Sequence, residues 1–218
     1  MVMLPEMVAD ALDAETIVAS NVSETEYMHT YAAHHCEWVD GKVIRVTPAT
    51  LFHNSLLKFT DDFLSTYFEL RPIGQVIRAP FVYKLPALKR NREPDLMVLL
   101  EGNTGELTET YYSGAADIVI EIISKESSTR DRGAKFDEYE QAGVREYWMF
   151  DSVRKNTAFY RLNADDLFEL AALNAQGEYE PPLLPDLRLP VALLWDKFLP
   201  GPRAIVRLVE AMVETKAP

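Results

Sequence analysis

A single acid interrupts an otherwise apolar, β-branched stretch of this chain: Glu121, in Ile118-Val119-Ile120-Glu121-Ile122-Ile123. Such a run reads as a central strand covered on both faces. Ionising a buried carboxylate is costly unless a cation or hydrogen-bond donors compensate it. By strand alternation Glu121 shares a face with Asp117, Val119 and Ile123. A nearby Arg, Lys or backbone donor would satisfy it, and so would a metal ion. Asp95 is the second acid of interest. It opens a strand directly after Pro94 and shares a face with Met97 and Leu99, although Pro-Asp is also ordinary turn chemistry. Two acids on neighbouring strands repel unless something positive lies between them, and a divalent cation with oxygen ligands is a common answer. Asp131, Lys135 and Tyr139 follow at i, i+4 and i+8 near one face of the next helix. Asp131 and Lys135 could form a surface ion pair worth only about 0.3–0.5 kcal/mol. Alternatively, the Lys135 ammonium points at the two acids, where it could stabilise charge on a phosphate or hold an attacking water.

These side chains need elements to position them. Ser23 and Glu26 fit a capping box, which predicts a short helix to about His35. Asp40-Gly41 predicts a turn between Trp38-Val39 and Val43-Ile44. Phe52, Leu56, Phe59, Phe63, Tyr67 and Leu70 recur at spacings of three and four, which predicts an amphipathic helix over 50–70 that Arg71-Pro72 stops. Strands are expected at Gln75–Arg78, Phe81–Leu85, Asp95–Leu100, Ile118–Ile123, Tyr147–Phe150 and Thr157–Arg161. A helix is expected over Ser127–Ala142, with Gly143 as its C-cap glycine. Residues 163–190 read as irregular, and the tail from Val191 as a helix pair broken at Pro200-Gly201-Pro202. The order of elements is that of a mixed central sheet flanked by helices, an α/β (α+β) core. An acidic arm over 1–20, one domain over 21–200 and a helical tail over 201–218 complete the expected organisation. Trp38, Trp148 and Trp195 read as core anchors.

Composition narrows the functional classes. No apolar run approaches a membrane span. The first 20 residues contain no Lys or Arg, so a signal peptide's charged segment is missing and a cytoplasmic protein is expected. Cys36, the single cysteine, has no disulfide partner within the chain. It is either a small buried filler or a nucleophile working with His34 or His35; neighbours on a helix do not face each other, so that pairing is poorly placed. The net charge is −12, yet residues 1–40 hold eight acids and no Lys or Arg, and the rest carries 26 acids against 22 bases. Between Arg71 and Arg92 lie six bases and no acid. Phosphate binding follows the local field rather than net charge, so Arg78, Lys84, Lys89, Arg90 and Arg92 are candidate nucleic-acid contacts. The same charges would equally suit a solvated strand edge.

Four blocks carry a resemblance when taken in order. They are Arg92-Glu93-Pro94-Asp95; Asp117-Ile118-Val119-Ile120-Glu121-Ile122-Ile123-Ser124; Thr129-Arg130-Asp131-Arg132-Gly133-Ala134-Lys135-Phe136-Asp137-Glu138-Tyr139; and Gly143-Val144-Arg145-Glu146-Tyr147-Trp148-Met149-Phe150-Asp151. Together they are similar to the mostly bacterial Uma-type family of restriction endonucleases, long catalogued as a domain of unknown function within the PD-(D/E)XK nuclease superfamily. The match spans roughly residues 25–200. The resemblance implies a restriction-endonuclease-like core and Mg²⁺- or Mn²⁺-dependent hydrolysis of DNA. Asp95 matches the first acid and Glu121 the second, and with the backbone carbonyl of Ile122 they would bind the metal. Glu37, in Glu-Trp-Val-Asp-Gly, could be an outer ligand; His53 also matches a family position, and His53, Asp131 and Tyr139 are candidate accessory residues. The superfamily pattern places a lysine two residues after the second acid, where this chain has Ile123. The family moves it to the following helix, which makes it Lys135. Nucleases that cut both strands are expected to dimerise. The competing expectation is a non-catalytic descendant that uses the fold for binding or assembly.

Overall fold

The structure, a computed structural model, describes residues 17–46, 49–123 and 133–213. In chain order it runs β1 (Ile17–Ala19), α1 (Glu24–Thr30), β2 (Cys36–Val39), β3 (Lys42–Arg45), α2 (Leu51–Leu70), β4 (Gly74–Arg78), β5 (Val82–Leu85), β6 (Arg90–Arg92) and β7 (Leu96–Leu100). It continues with β8 (Glu106–Leu107), β9 (Tyr111–Ser113), β10 (Ile118–Ile123), α3 (Ala134–Gln141), β11 (Glu146–Asp151), β12 (Asn156–Leu162), β13 (Phe168–Leu170), β14 (Glu178–Tyr179), β15 (Leu189–Pro190) and α4 (Pro202–Val213). Contacts divide the chain into two compact units that interleave along the sequence. One draws its described residues from Met1–Pro48, Pro80–Glu93 and Glu106–Gly114, the other from Ala49–Ala79, Pro94–Gly105 and Ala115–Pro218.

The first unit is a seven-stranded sheet in the order β1-β3-β2-β6-β5-β9-β8. Asp40 (φ 45°) and Gly41 (φ 84°) both take left-handed backbone, which gives the β2–β3 hairpin the tight turn whose twist matches its strands. Ser23 caps α1 by accepting from the Glu26 N–H at 3.2 Å. The helix stops at Thr30, earlier than the capping signal alone suggests, and a single 3₁₀ turn follows. His35 (φ 51°) ends that turn in left-handed backbone. Val22, Tyr27, Cys36, Trp38, Val43 and Val82 form a small core. Residues 17–19, expected to belong to a loose arm, pair with β3. Residues 1–16 of that arm lie outside the described residues.

The second unit is a six-stranded mixed sheet, β13-β12-β11-β10-β7-β4. β10 is central: it pairs parallel with β11 and antiparallel with β7, and every one of its six residues is buried. Ile118, Ile120 and Ile122 face a core shared with Leu96, Val98, Trp148 and Phe150. α2 lies over this face with Leu56, Phe59, Phe63 and Tyr67. Each large apolar side chain buried this way contributes about 1.5–3 kcal/mol. α4 adds Ile205, Val209 and Met212 to the same core. On the opposite face, Phe136 of α3 meets Tyr147, Tyr160 and Phe168. Residues 163–190, expected to be irregular, contain the short strands β13, β14 and β15. The expected helix pair of the tail is a 3₁₀ turn, Val191–Trp195, followed by α4. The helix expected from Ser127 is described from Ala134, so Asp131 lies outside the described residues. Among the described residues no helix is long and apolar enough to cross a membrane.

Candidate functional site

Three elements of the second unit bring titratable side chains to one end of the β7–β10 pair. Glu121 points to the α3 side of the sheet and is 4 % exposed. Its Oε1 accepts from the Lys135 ammonium at 2.7 Å and from the Tyr139 hydroxyl at 2.8 Å. Lys135 and Tyr139 stand one turn apart on α3, so the i, i+4 spacing aims both at the same oxygen. Ile123, two residues after Glu121, is fully buried, and the amine that meets the Glu121 carboxylate is that of Lys135, from the helix.

Asp95 sits just before β7. The β7–β10 ladder ends with Leu96 opposite Ile120. Beyond that point the Asp95 carboxylate takes over from the backbone: its Oδ2 accepts the Ile122 N–H at 2.7 Å. Asp95 therefore lies against the residue that follows Glu121. The Ile123 carbonyl accepts from the Ser152 N–H and hydroxyl, on the β11 side. Alternation turns the Ile122 carbonyl the other way, toward β7 and Asp95. From α2, His53 places Nε2 at 3.1 Å and 3.2 Å from the two Asp95 carboxylate oxygens. The Thr50 hydroxyl caps this turn by accepting from the His53 N–H at 3.1 Å.

Other candidate residues are placed elsewhere. Glu37 belongs to the first unit and is 1 % exposed there, with Oε2 at 2.8 Å from Arg92 Nη1. Arg92 is itself 2 % exposed, so the expected nucleic-acid contact there needs correction: a guanidinium locked in a buried ion pair does not present itself to a phosphate backbone. Lys84 pairs with Glu24 at 3.1 Å and lies over the Tyr111 ring. Arg90 donates to the Leu88 and Lys89 carbonyls. Lys89 stands exposed, 4.0 Å from Asp40. Arg78, in the second unit, is exposed and pairs with Asp61 at 3.1 Å. Cys36 does not meet a histidine ring: its thiol contacts the His34 carbonyl, and burial pushes its pKa up, away from the thiolate a nucleophile needs.

Sequence reasoning passed over another buried acid on this sheet. Glu146 opens β11 and is 2 % exposed; its Oε2 accepts from Tyr179 at 2.6 Å and from Trp148 Nε1 at 2.8 Å. Burial raises its pKa despite these donors. Tyr179, more than thirty residues away in sequence, gave no signal that it would cover it.

The fold is that of a nuclease-like α+β protein. It is similar to the crystal structure of "a putative nuclease belonging to DUF820" from Anabaena variabilis ATCC 29413, with a TM-score of 0.60, 14 % identity, and coverage of 85 % of this chain and 97 % of that one. Residues 24–192 match the family Uma2, described as "Putative restriction endonuclease", and the chain belongs to that family. No curated protein matches the chain.

Proposed function

We propose that this chain is a divalent-metal-dependent endonuclease that hydrolyses phosphodiester bonds in DNA. Asp95, Glu121 and the Ile122 carbonyl would hold Mg²⁺ or Mn²⁺, and Lys135 would face the reacting phosphate. The observation that carries this reading is the buried Glu121–Lys135 pair beside an Asp95 that is bonded to Ile122. The donor set fits the ion: it is all oxygen, and Mg²⁺ commonly takes one or two carboxylates and keeps several waters. The charges fit as well. Two carboxylates and one ammonium leave one negative charge in a poorly hydrated place, which a cation would neutralise. Membership of the restriction-endonuclease family supports DNA as the substrate.

When bound, the metal would polarise the phosphate and make a coordinated water more acidic. The protein's own groups do the rest. The contact with Glu121 at 2.7 Å holds the Lys135 ammonium at this end of the sheet. Lys135 can therefore stabilise charge that builds on phosphate oxygens in the transition state. Tyr139 holds the Glu121 carboxylate in one orientation. Purified protein should nick supercoiled plasmid with Mg²⁺ or Mn²⁺, and Asp95→Ala and Glu121→Ala should each stop it at a temperature where the variant is still folded. Nicking that survives both substitutions rejects the site.

The same contacts favour a second reading, a nuclease fold kept for binding. Lys135 and Tyr139 already satisfy Glu121, and Ile122 and His53 engage Asp95. Among the described residues no group of three or more His, Cys, Asp or Glu side chains is arranged to hold a metal. Thermal melting separates the two readings. Mn²⁺ at about a hundred times its Kd stabilises a protein that binds it by about 2.7 kcal/mol, a shift of several degrees for a chain of this size. An unshifted melt favours the binding module.

A further inference from the structure

We infer that His53 is a positioning residue that sets the orientation of Asp95, which makes α2 a working third element of the site. The inference rests on the reading of Asp95 as a metal ligand, but its geometry stands independently. His53 is 8 % exposed, although it lies in the first turn of α2, whose first residue, Leu51, is 85 % exposed. Its ring turns inward, where Nε2 is within 3.2 Å of both Asp95 carboxylate oxygens. A carboxylate only accepts, so Nε2 carries the hydrogen. The Ile122 N–H reaches the same carboxylate from a different direction, at 2.7 Å on Oδ2. Two donors from two elements leave the carboxylate plane little freedom.

The arrangement has a physical purpose. Asp95 stands beyond the last paired residue of the β7–β10 ladder; its carbonyl accepts the Ala79 N–H at 3.1 Å, but strand pairing does not set its side-chain rotamer. A side chain there would otherwise sample several rotamers, and a ligand that must be ordered on binding weakens the site by that entropy. His53 removes the cost in advance. Groups that hold metal ligands in place commonly contribute 10–100-fold in metal affinity or activity when removed.

The test compares His53→Leu with His53→Gln. Both keep bulk in the buried position, and only glutamine keeps an N–H donor. Two readouts are taken: amide hydrogen exchange at Ile122, without metal, and the Mn²⁺ concentration at half-maximal thermal stabilisation. In His53→Leu the Ile122 amide should exchange at least tenfold faster relative to the paired Ile120 amide, and half-stabilisation should need about tenfold more Mn²⁺. His53→Gln should recover most of both. Unchanged Ile122 exchange in His53→Leu would overturn the inference, as would equal losses in the two variants, which would mean that the ring merely packs. If the wild-type protein shows no Mn²⁺ response at all, the metal reading of the site has failed. The exchange measurement then still decides whether His53 orders Asp95.

Discussion

Removing the charge of Glu121 leaves the Lys135 ammonium in a pocket where its side chain is only 4 % exposed. Breaking one partner of a buried pair typically costs about 3–5 kcal/mol, more than the pair is worth against an apolar substitute. Glu121→Gln should therefore melt well below wild type. The double variant Glu121→Leu/Lys135→Met should recover most of the stability yet show neither Mn²⁺ stabilisation nor nicking. If the double variant melts as low as the single one, the unpaired charge is not what destabilises Glu121→Gln. Glu146 makes a different prediction, in pH. Its pKa is raised in the folded state by burial, so the folded protein binds that proton more tightly than the unfolded chain does. The associated stability is fully present below the ordinary glutamate range and is lost as pH rises through the folded value. Wild type should therefore lose stability relative to Glu146→Gln as melts are taken from acidic buffer toward neutrality. A pH-independent difference would contradict the assignment.

At the scale of elements, β10 explains why the site is where it is. Its even positions feed the core under α2, and its odd positions face α3, so one strand is both the middle of the fold and the carrier of Glu121. The run of β-branched residues made this strand and its acid legible in sequence. The contribution of α2 was legible as a helix, and His53 came forward only through the resemblance: periodicity marks which face is apolar, not that the exposed first turn tucks His53 inward. The β4–β7 edge has its own requirement. A Cβ on Gly74 would lie 2.7 Å from the Leu99 carbonyl oxygen and 2.9 Å from a Leu100 methyl. Gly74→Ala must push β4 off its partner and should cost about 1–3 kcal/mol, by the usual penalty for overpacking. Amide exchange should speed up across β4 and not in β10. A variant as stable as wild type would show that the edge yields freely.

At the scale of the whole molecule, the net charge of −12 sets a limit on how a polyanion can be held. The cations of the 71–92 stretch are largely committed within the protein, with Arg92 on Glu37 and Lys84 on Glu24. DNA association without metal should accordingly be weak and strongly salt-dependent. If Lys89 and Arg90 each neutralise one phosphate, log K should fall with log salt at a slope of about −2. Reversing Lys89 and Arg90 together should flatten that slope by about two. Arg92→Gln should leave the slope unchanged while lowering stability. Fluorescence anisotropy of a labelled duplex from 50 to 200 mM salt, on the order where such contacts are lost, distinguishes these outcomes.

The sequence by itself determined the long helix, the central strand with its single acid and the hairpin turn. Each of these is written locally, as periodicity, as a β-branched run with one intruding charge, or as a pair of residues tolerant of left-handed backbone. Tertiary structure alone decided the partners. That Lys135 and Tyr139 share one oxygen of Glu121, that Asp95 closes the ladder at Ile122, and that Arg92 is spent on Glu37 all depend on which strands pair and which helix lies over them. The two units are invisible in composition for the same reason, since each is assembled from segments that the other interrupts. The trio Asp95, Glu121 and Lys135 could be picked from the chain, but what holds each of them in place is non-local, and a linear pattern does not encode it.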